Sequence, residues 1–310
     1  MTVASTPEVA RRFPCFGAVG EVHASEIAGS RAVTEQTLTQ VQFRLLALNR
    51  RLSRFKPDSE LSQLNRDPRG TVPASPLMRR FVSAAIEVAE LTGGLVDATL
   101  LDALERAGYA EDFDRARALP LAEAAAGSPR PAAPSASARW REIAVDDSAG
   151  TITRPPGVRL DSGGVAKGLA ADLVAPLLEA HASFAVNCSG DLRIGGVAGV
   201  PRRVGVDSPF GEGVLHEFEI AQGGVATSGI GRRSWRGSDG HYAHHLLDPA
   251  TGLPAITGVV QATALAPTAL EAEALAKAAL LSGPAMGPAW LRHGGLLVLA
   301  DGSVEVVPAR

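Results

Sequence analysis

The 310-residue sequence contains only two cysteines and carries no large excess of charge of either sign. Cys15 and Cys188 lie in unrelated segments without CxxC spacing, so the sequence indicates neither a disulfide framework nor a zinc site. The formal net charge of -3 offers no basic field for a polyanion, and we therefore expect no nucleic-acid partner. The arginine pairs Arg50–Arg51 and Arg232–Arg233 are typical of solvent-facing surface.

The sequence also lacks long hydrophobic runs. No stretch of about 18 apolar residues occurs, and the N-terminal MTVASTPEVARRFPCFG has no apolar run of signal-peptide length after its arginine pair. We therefore expect no membrane segment and a cytoplasmic location. The chain does contain 45% hydrophobic and 20% charged residues, a composition typical of a globular protein with a sizeable core.

Hydrophobic periodicity predicts helices and strands in a mixed order. Apolar residues at alternating spacings of three and four predict an amphipathic helix over 34–55. Ser75–Pro76 predicts the N-cap and first residue of a second helix. Later strand-like runs alternate with helical patterns near 166–180 and 268–282, so we predict an α+β fold in which mixed or antiparallel sheets pack with helices.

Two further segments carry turn or loop signals. Residues 117–138 are rich in Ala, Pro and Ser, with too little bulky apolar surface to fold independently, and they predict an exposed excursion or a linker. Near the C-terminus, Asp301–Gly302 separates two apolar runs and predicts a closing hairpin with a type I′ turn.

A glycine-rich turn at 161–168 joins a strand-like segment to a helix. Gly163 and Gly164 allow the backbone to turn tightly where a helix N-terminus exposes unpaired N–H groups, a geometry that suits an anion. The alternative is a tight connection with Lys167 on the surface. The motif is neither a Walker loop nor a GxGxxG fingerprint.

Two adjacent histidines, His244 and His245, follow a Thr227–Gly229 segment. Histidine transfers protons near neutral pH, and Asp248, three residues after His245, either orients it or forms its own turn. On the sequence alone a structural histidine remains the alternative, and Asp-Pro-x-x-Gly is usually only a turn.

The last long helical pattern begins with a capping box. Thr268 precedes Glu271 by three residues, which predicts a helix that places Glu273 and Lys277 four residues apart on one face. This spacing fits a surface ion pair as well as a functional pair.

Taken together and in order, these segments resemble the ApbE family over residues 15–308. The blocks that carry the resemblance are RLSRFKPDSELSQLN, GLVDATLLDALERAGY, DSGGVAKGLAAD, VNCSGDLRIGG, VATSG, HLLDPATGLP and ALEAEALAKAALLSG. Any one block is weak, whereas the ordered set is specific. The resemblance implies a single ApbE-like unit over 15–308, with an N-terminal tail at 1–14.

The function implied by the resemblance is that of an FAD:protein FMN transferase. Such an enzyme splits FAD, transfers the FMN phosphoryl group to a threonine or serine of an acceptor flavoprotein and releases AMP. Two alternatives remain, an FAD-binding homologue without transfer activity and an FAD pyrophosphatase.

The resemblance also implies a site. Its catalytic positions are His245 and Lys167. Its FAD-binding positions are Phe55, Asp97, Thr99, Asp161, Gly163, Gly164, Lys167, Ser228, Gly229 and His245. Its Mg²⁺ positions are the carbonyl of Ala166 and the side chains of Glu273 and Lys277.

The sequence departs from the family at the metal positions. Glu273 and Lys277 stand where the family has aspartate and threonine, and a protonated lysine cannot ligate Mg²⁺. We therefore predict that the Lys277 ammonium takes the place of the ion. The alternative is that Lys277 points to solvent and pairs with Glu273 along the helix. A second departure is Phe55, where the family usually has tyrosine.

Overall fold

A computed structural model of the protein describes residues 7–27, 30–112, 118–121, 123, 128–237 and 240–310. The centre of the described protein is an antiparallel sheet of eight strands. In spatial order these are β1 (Glu8–Cys15), β2 (Ala18–Ser25), β6 (Phe184–Cys188), β7 (Asp191–Gly195), β10 (Gly223–Gly229), β15 (Val259–Ala266), β16 (His293–Leu299) and β17 (Val304–Ala309).

Three helices form a layer on this sheet. They are α1 (Arg31–Arg51) on β1 and β2, α5 (Ala166–Val174) on β6 and β7, and α6 (Ala269–Trp290) on β10, β15 and β16. Helix α6 is alanine-rich, and its small side chains are buried from both sides because it packs against α5 as well as the sheet. Its helical geometry breaks at Gly283, where φ is 73° and Pro284 follows.

The remaining elements surround this two-layer body. Within the described residues the other α-helices are α2 (Glu60–Arg66), α3 (Pro76–Leu91) and α4 (Leu101–Arg106). A three-stranded sheet contains β3 (Thr71–Pro73), β4 (Ala144–Asp146) and β5 (Thr151–Thr153). The remaining described strands form two-stranded pairs, which are β8 (Arg202–Asp207) with β9 (Val214–Ile220), β11 (Ser234–Arg236) with β12 (Tyr242–His244), and β13 (Leu247–Asp248) with β14 (Leu253–Pro254).

The predicted α+β class is confirmed, and the sheets are antiparallel. The Ser75–Pro76 signal is also correct, since the Ser75 side chain accepts a hydrogen bond from Met78 N–H and Pro76 begins α3. Thr268 caps α6 in the same way, with Glu271 N–H as the donor. The predicted 34–55 helix starts and ends too late, because α1 spans Arg31–Arg51 and the apolar stripe continues into the following loop.

The predicted tail at 1–14 is wrong where the structure describes it. Glu8–Cys15 is the edge strand of the main sheet, paired in register with β2. Val9, Phe13 and Cys15 are buried on one face of this strand, and that period of two is a strand signal. Residues 1–6 of the tail lie outside the described residues.

The Ala/Pro/Ser-rich segment is mostly exposed along its described C-terminal part, as predicted, and this part is hydrogen-bonded to the body. The Arg130 N–H donates to Ile256 O at 2.8 Å and the Ala132 N–H donates to Leu281 O at 2.8 Å. Backbone pairing, which composition does not report, therefore fixes this part of the segment. Parts of the segment lie outside the described residues, namely 117, 122 and 124–127.

The closing hairpin is present, but its turn is not type I′. Only Gly302 has a positive φ, 88°, whereas a type I′ turn also needs a positive φ at the preceding residue. Leu299 N–H donates to Ser303 O, so the loop is longer than the two residues predicted.

Candidate active site

Two cavities meet beside the glycine-rich turn. The first has a volume of about 220 Å³ and a mainly apolar lining, and the second has a volume of about 680 Å³ and a more polar lining. Among the described residues, five line both cavities: Gly163, Lys167, Arg233, His245 and Lys277. The junction thus combines three cationic side chains with one imidazole, an arrangement that suits a phosphate-containing ligand.

The Asp161 carboxylate shapes the turn at this junction. Its Oδ2 accepts a hydrogen bond from Gly163 N–H at 2.9 Å, and its Oδ1 lies 2.9 Å from Arg54 Nε. The Arg54 side chain is only 5% exposed, so the pair is sheltered from solvent. Both residues line the first cavity, where Asp161 holds the turn and Arg54 in place.

The helix start after the turn is less open to an anion than the sequence predicts. The Val165 and Ala166 N–H groups both donate to Ser162 O, and the Gly168 N–H donates to Glu273 Oε2 at 2.9 Å. These donors already have protein partners, so most of the attraction for a phosphate at the junction must come from charged side chains.

Four alternating charges form a buried cluster under the junction. Lys167 Nζ bonds to Asp191 Oδ2 and lies 3.6 Å from Glu273 Oε1, which in turn lies 2.9 Å from Lys277 Nζ. Asp191 is 1% exposed, Glu273 0% and Lys277 7%. Buried charges persist only when they are paired, and each member of this cluster has an opposite charge beside it.

The pKa values within the cluster favour ionised pairs. Burial by itself lowers the pKa of Lys167, but Asp191 and Glu273 outweigh it and hold that pKa above its ordinary value. Burial by itself raises the pKa of Glu273, but Lys277 and Lys167 bring it below its ordinary value. For Asp191 burial prevails over Lys167 and raises the pKa to about 6.

Phe55 and Tyr109 form an aromatic wall of the first cavity, and Trp235 lies behind Tyr109, outside the lining. Phe55 and Tyr109 meet edge to face with ring centroids 5.6 Å apart, Tyr109 stacks on Trp235 at 5.5 Å, and His245 lies 6.4 Å from Tyr109. The Arg54 guanidinium lies 4.2 Å from the Phe55 centroid and 4.4 Å from the Tyr109 centroid. Such a wall suits a flat aromatic ligand.

His245 is placed to exchange a proton at the junction. Its Nδ1 is buried and has no hydrogen-bond partner among the residues that the structure describes. Burial, followed by the charge of Arg233, by His244 and by the charge of Lys277, lowers the His245 pKa well below 6.5. The imidazole is therefore neutral at neutral pH and able to accept a proton.

His244 has a structural environment instead. Its Nε2–H donates to Ala255 O at 2.9 Å, and its Nδ1 accepts from Leu246 N–H at 3.2 Å. The residue is 1% exposed, and burial lowers its pKa to about 4. A proton added at Nδ1 would break one of these bonds and bury a charge.

This geometry predicts a pH-dependent contribution of His244 to stability. The His244 pKa is about 4 in the folded protein and 6.5 ordinarily, so the unfolded chain binds the extra proton and stability is lost as pH falls from 6.5 to 4. Relative to His244→Gln, we expect the wild-type free energy of unfolding to fall by about 3 kcal/mol over this interval. Urea unfolding at a series of pH values measures the difference. Parallel curves for the two proteins would contradict it.

Other predicted site residues divide between the cavities and the scaffold. Ser228 and Gly229 line the second cavity, and Asp97 lines the first. Thr99 is not among the lining residues that the structure describes. Its N–H and hydroxyl both donate to Asp97 Oδ1, so it helps to hold Asp97 at the cavity. Asp248 forms its own turn through Gly252 N–H and does not orient His245.

Comparison with known proteins identifies the family. The sequence profile of the ApbE family matches residues 18–299. A curated relative from Salmonella typhimurium, named FAD:protein FMN transferase, is 30% identical over 296 residues, covering 91% of this chain and 81% of its own. The chain belongs to the ApbE family.

Solved ApbE structures have the same fold. The crystal structure of the ApbE protein from Thermotoga maritima superposes with a TM-score of 0.78 at 26% identity, covering 97% of each chain. The flavinyl transferase ApbE from Pseudomonas stutzeri superposes with a TM-score of 0.77 at 23% identity, covering 99% of this chain and 96% of its own, which supports the fold alone.

Four residues that contribute to the site of this ApbE protein were not predicted from the sequence. Arg54, Tyr109 and Asp191 gain their places through contacts across the fold, and Arg233 belongs to an arginine pair that we predicted to be solvated. Arg54, Tyr109 and Asp191 lie inside the motif blocks that carry the family resemblance, and this is the signal that could have identified them, whereas Arg233 lies outside the blocks. No helix within the described part of the chain is long and apolar enough to span a membrane.

Proposed function

We propose that this ApbE protein is an FAD:protein FMN transferase that acts on a threonine or serine hydroxyl of an acceptor protein and releases AMP. The observation that carries the proposal is the junction, where Lys167, Lys277, Arg233 and His245 meet between an apolar and a polar cavity. FAD has the matching order of groups, with a pyrophosphate between two aromatic ring systems. The names of the relatives support the same activity.

The pyrophosphate of FAD lies at the junction in this proposal. The two lysines and Arg233 stabilise the charge that develops on the phosphate oxygens during transfer. One ring system of FAD packs against the wall formed by Phe55 and Tyr109 in the first cavity. The second, larger cavity takes the other ring system and also admits the acceptor segment to the same phosphorus atom.

His245 acts as the general base. The acceptor oxygen attacks the phosphorus of the FMN half, its proton passes to His245, and the bond to the AMP phosphate breaks with AMP as the leaving group. In the free protein burial, and after it the charges of Arg233 and Lys277, lower the pKa of His245 and weaken it as a base. The negative pyrophosphate offsets these charges, so FAD binding raises the His245 pKa toward its useful range.

An assay with FAD, Mg²⁺ and candidate acceptor proteins tests the proposal. We expect AMP release together with a mass increase of the acceptor equal to one FMN phosphoryl group, located on a threonine or serine. Release of AMP and free FMN without acceptor modification would instead indicate an FAD pyrophosphatase. FAD binding without cleavage would indicate a homologue that has lost transfer activity.

A further inference from the structure

A divalent cation does not fit the positions at which the ApbE resemblance implies one, the carbonyl of Ala166 with Glu273 and Lys277. Glu273 Oε1 lies 2.9 Å from Lys277 Nζ and 3.6 Å from Lys167 Nζ, and Oε2 accepts from Gly168 N–H. Mg²⁺ needs an octahedral shell of oxygen ligands, whereas an ammonium group has no lone pair to offer. The described residues contain no group of three or more His, Cys, Asp or Glu side chains that could hold a metal ion.

We propose that the Lys277 ammonium replaces the divalent cation at the FAD pyrophosphate, so that this protein binds FAD without Mg²⁺. The inference rests on the proposed function, because it takes FAD as the ligand of the junction. Because the replacement affects how the pyrophosphate is held, it can be tested by measuring FAD binding without measuring FMN transfer.

The position of Lys277 supports the replacement. Its side chain lies against the glycine-rich turn, since a Cβ added at Gly164 would be 3.8 Å from Lys277 Cε and 3.9 Å from Cδ. Lys277 is 7% exposed and lines both cavities. The alternative in which Lys277 points to solvent is therefore wrong, although its pairing with Glu273 along α6 is present.

The hydrogen-bonding capacity of Lys277 also supports the replacement. An ammonium group has three N–H donors, and within the described chain the Lys277 ammonium donates to Glu273 Oε1. Because Lys277 lines both cavities, phosphate oxygens at the junction can accept hydrogen bonds from its remaining donors. Glu273 meanwhile keeps the ammonium paired when FAD is absent, so the buried charge is stable in the free protein.

Lysine is rare in this sequence, which makes the arrangement around Glu273 unusual. The chain contains only three lysines, Lys56, Lys167 and Lys277, and two of them contact the same carboxylate of Glu273. Two ammonium groups so close to one carboxylate would repel an incoming divalent cation. The same groups attract a pyrophosphate dianion, and Arg233 adds a third positive charge at the junction.

Calorimetric titration of FAD into the full-length protein, in EDTA and in saturating MgCl₂, tests the proposal. We expect the wild-type Kd to be the same in the two buffers within about twofold. Lys277→Met is expected to weaken FAD binding in EDTA about tenfold or more, and Lys277→Thr is expected to bind FAD more tightly with Mg²⁺ than without it. Arg31→Met is the matched control, because it removes an exposed ion pair of the same spacing, Arg31–Glu35, on α1.

Direct metal binding provides a measurement that does not depend on the variants. Electron paramagnetic resonance with Mn²⁺ should detect no bound ion in the wild-type protein with FAD. Wild-type binding of FAD that requires Mg²⁺, or a stoichiometric Mn²⁺ signal, would overturn the replacement and leave the proposed function standing. Absence of FAD binding in both buffers would overturn the proposed function and this inference with it.

Discussion

Replacing His245 by alanine is expected to lower the rate of AMP release from FAD about a thousandfold and to leave FAD affinity within about threefold of wild type. The imidazole lines both cavities at the junction and is neutral at neutral pH, so it can accept the proton of the acceptor hydroxyl. That proton moves only in the transition state, so removing the imidazole that accepts it lowers kcat far more than it weakens FAD binding. Steady-state kinetics with an acceptor protein, together with FAD titration, measures both quantities.

The control for His245→Ala must remove a histidine without disturbing the core. His244 is unsuitable, because it is buried and both ring nitrogens are bonded. His293→Ala is suitable, since that side chain is 38% exposed and lies on β16, and we expect unchanged kinetics. If His245→Ala releases AMP at the wild-type rate, the histidine is structural and another group accepts the proton.

Secondary structure near strong local signals could be predicted from the sequence. Ser75 and Thr268 cap their helices because a short polar side chain satisfies a free N–H group three residues later, which depends on neighbours in the chain alone. The edge strand Glu8–Cys15 escaped prediction because its buried residues are interrupted by arginine and proline. Residues 128–138 are held in place by hydrogen bonds to carbonyl groups of distant segments, and amino-acid composition does not reveal such bonds.

The candidate site was predictable only as a set of ordered motifs. Gly163, His245 and Lys277 were found because they lie in blocks that resemble a family, and the fold brings them to one junction. The pairing of Lys167 with Asp191 joins α5 to the start of β7, and no spacing rule connects residues on a helix and a strand in that way. The ion pairs of this site could therefore be identified only from the structure.

Replacing Gly168 by alanine is expected to lower the free energy of unfolding by about 2 kcal/mol and to weaken FAD binding. A Cβ at this position would lie 2.6 Å from Ala269 O and 2.7 Å from Leu270 Cα, which are backbone atoms that cannot turn aside. Separating α5 from α6 to relieve this overlap costs about 3 kcal/mol, whereas alanine in place of glycine returns only about 1 kcal/mol of helix propensity. The steric cost therefore prevails.

The same separation of helices links stability to the charge cluster. The Gly168 N–H donates to Glu273 Oε2, and Glu273 holds Lys277, so a shift of α6 away from α5 displaces the ammonium that we place at the pyrophosphate. Urea unfolding measures the first effect of Gly168→Ala, and FAD titration measures the second. Gly211→Ala is the control, because the described residues leave the space around its added Cβ open to 4 Å and its change should stay within about 0.5 kcal/mol. A Gly168→Ala protein as stable as wild type would show that α5 and α6 can separate freely, and the close contact of these helices would then not position Lys277.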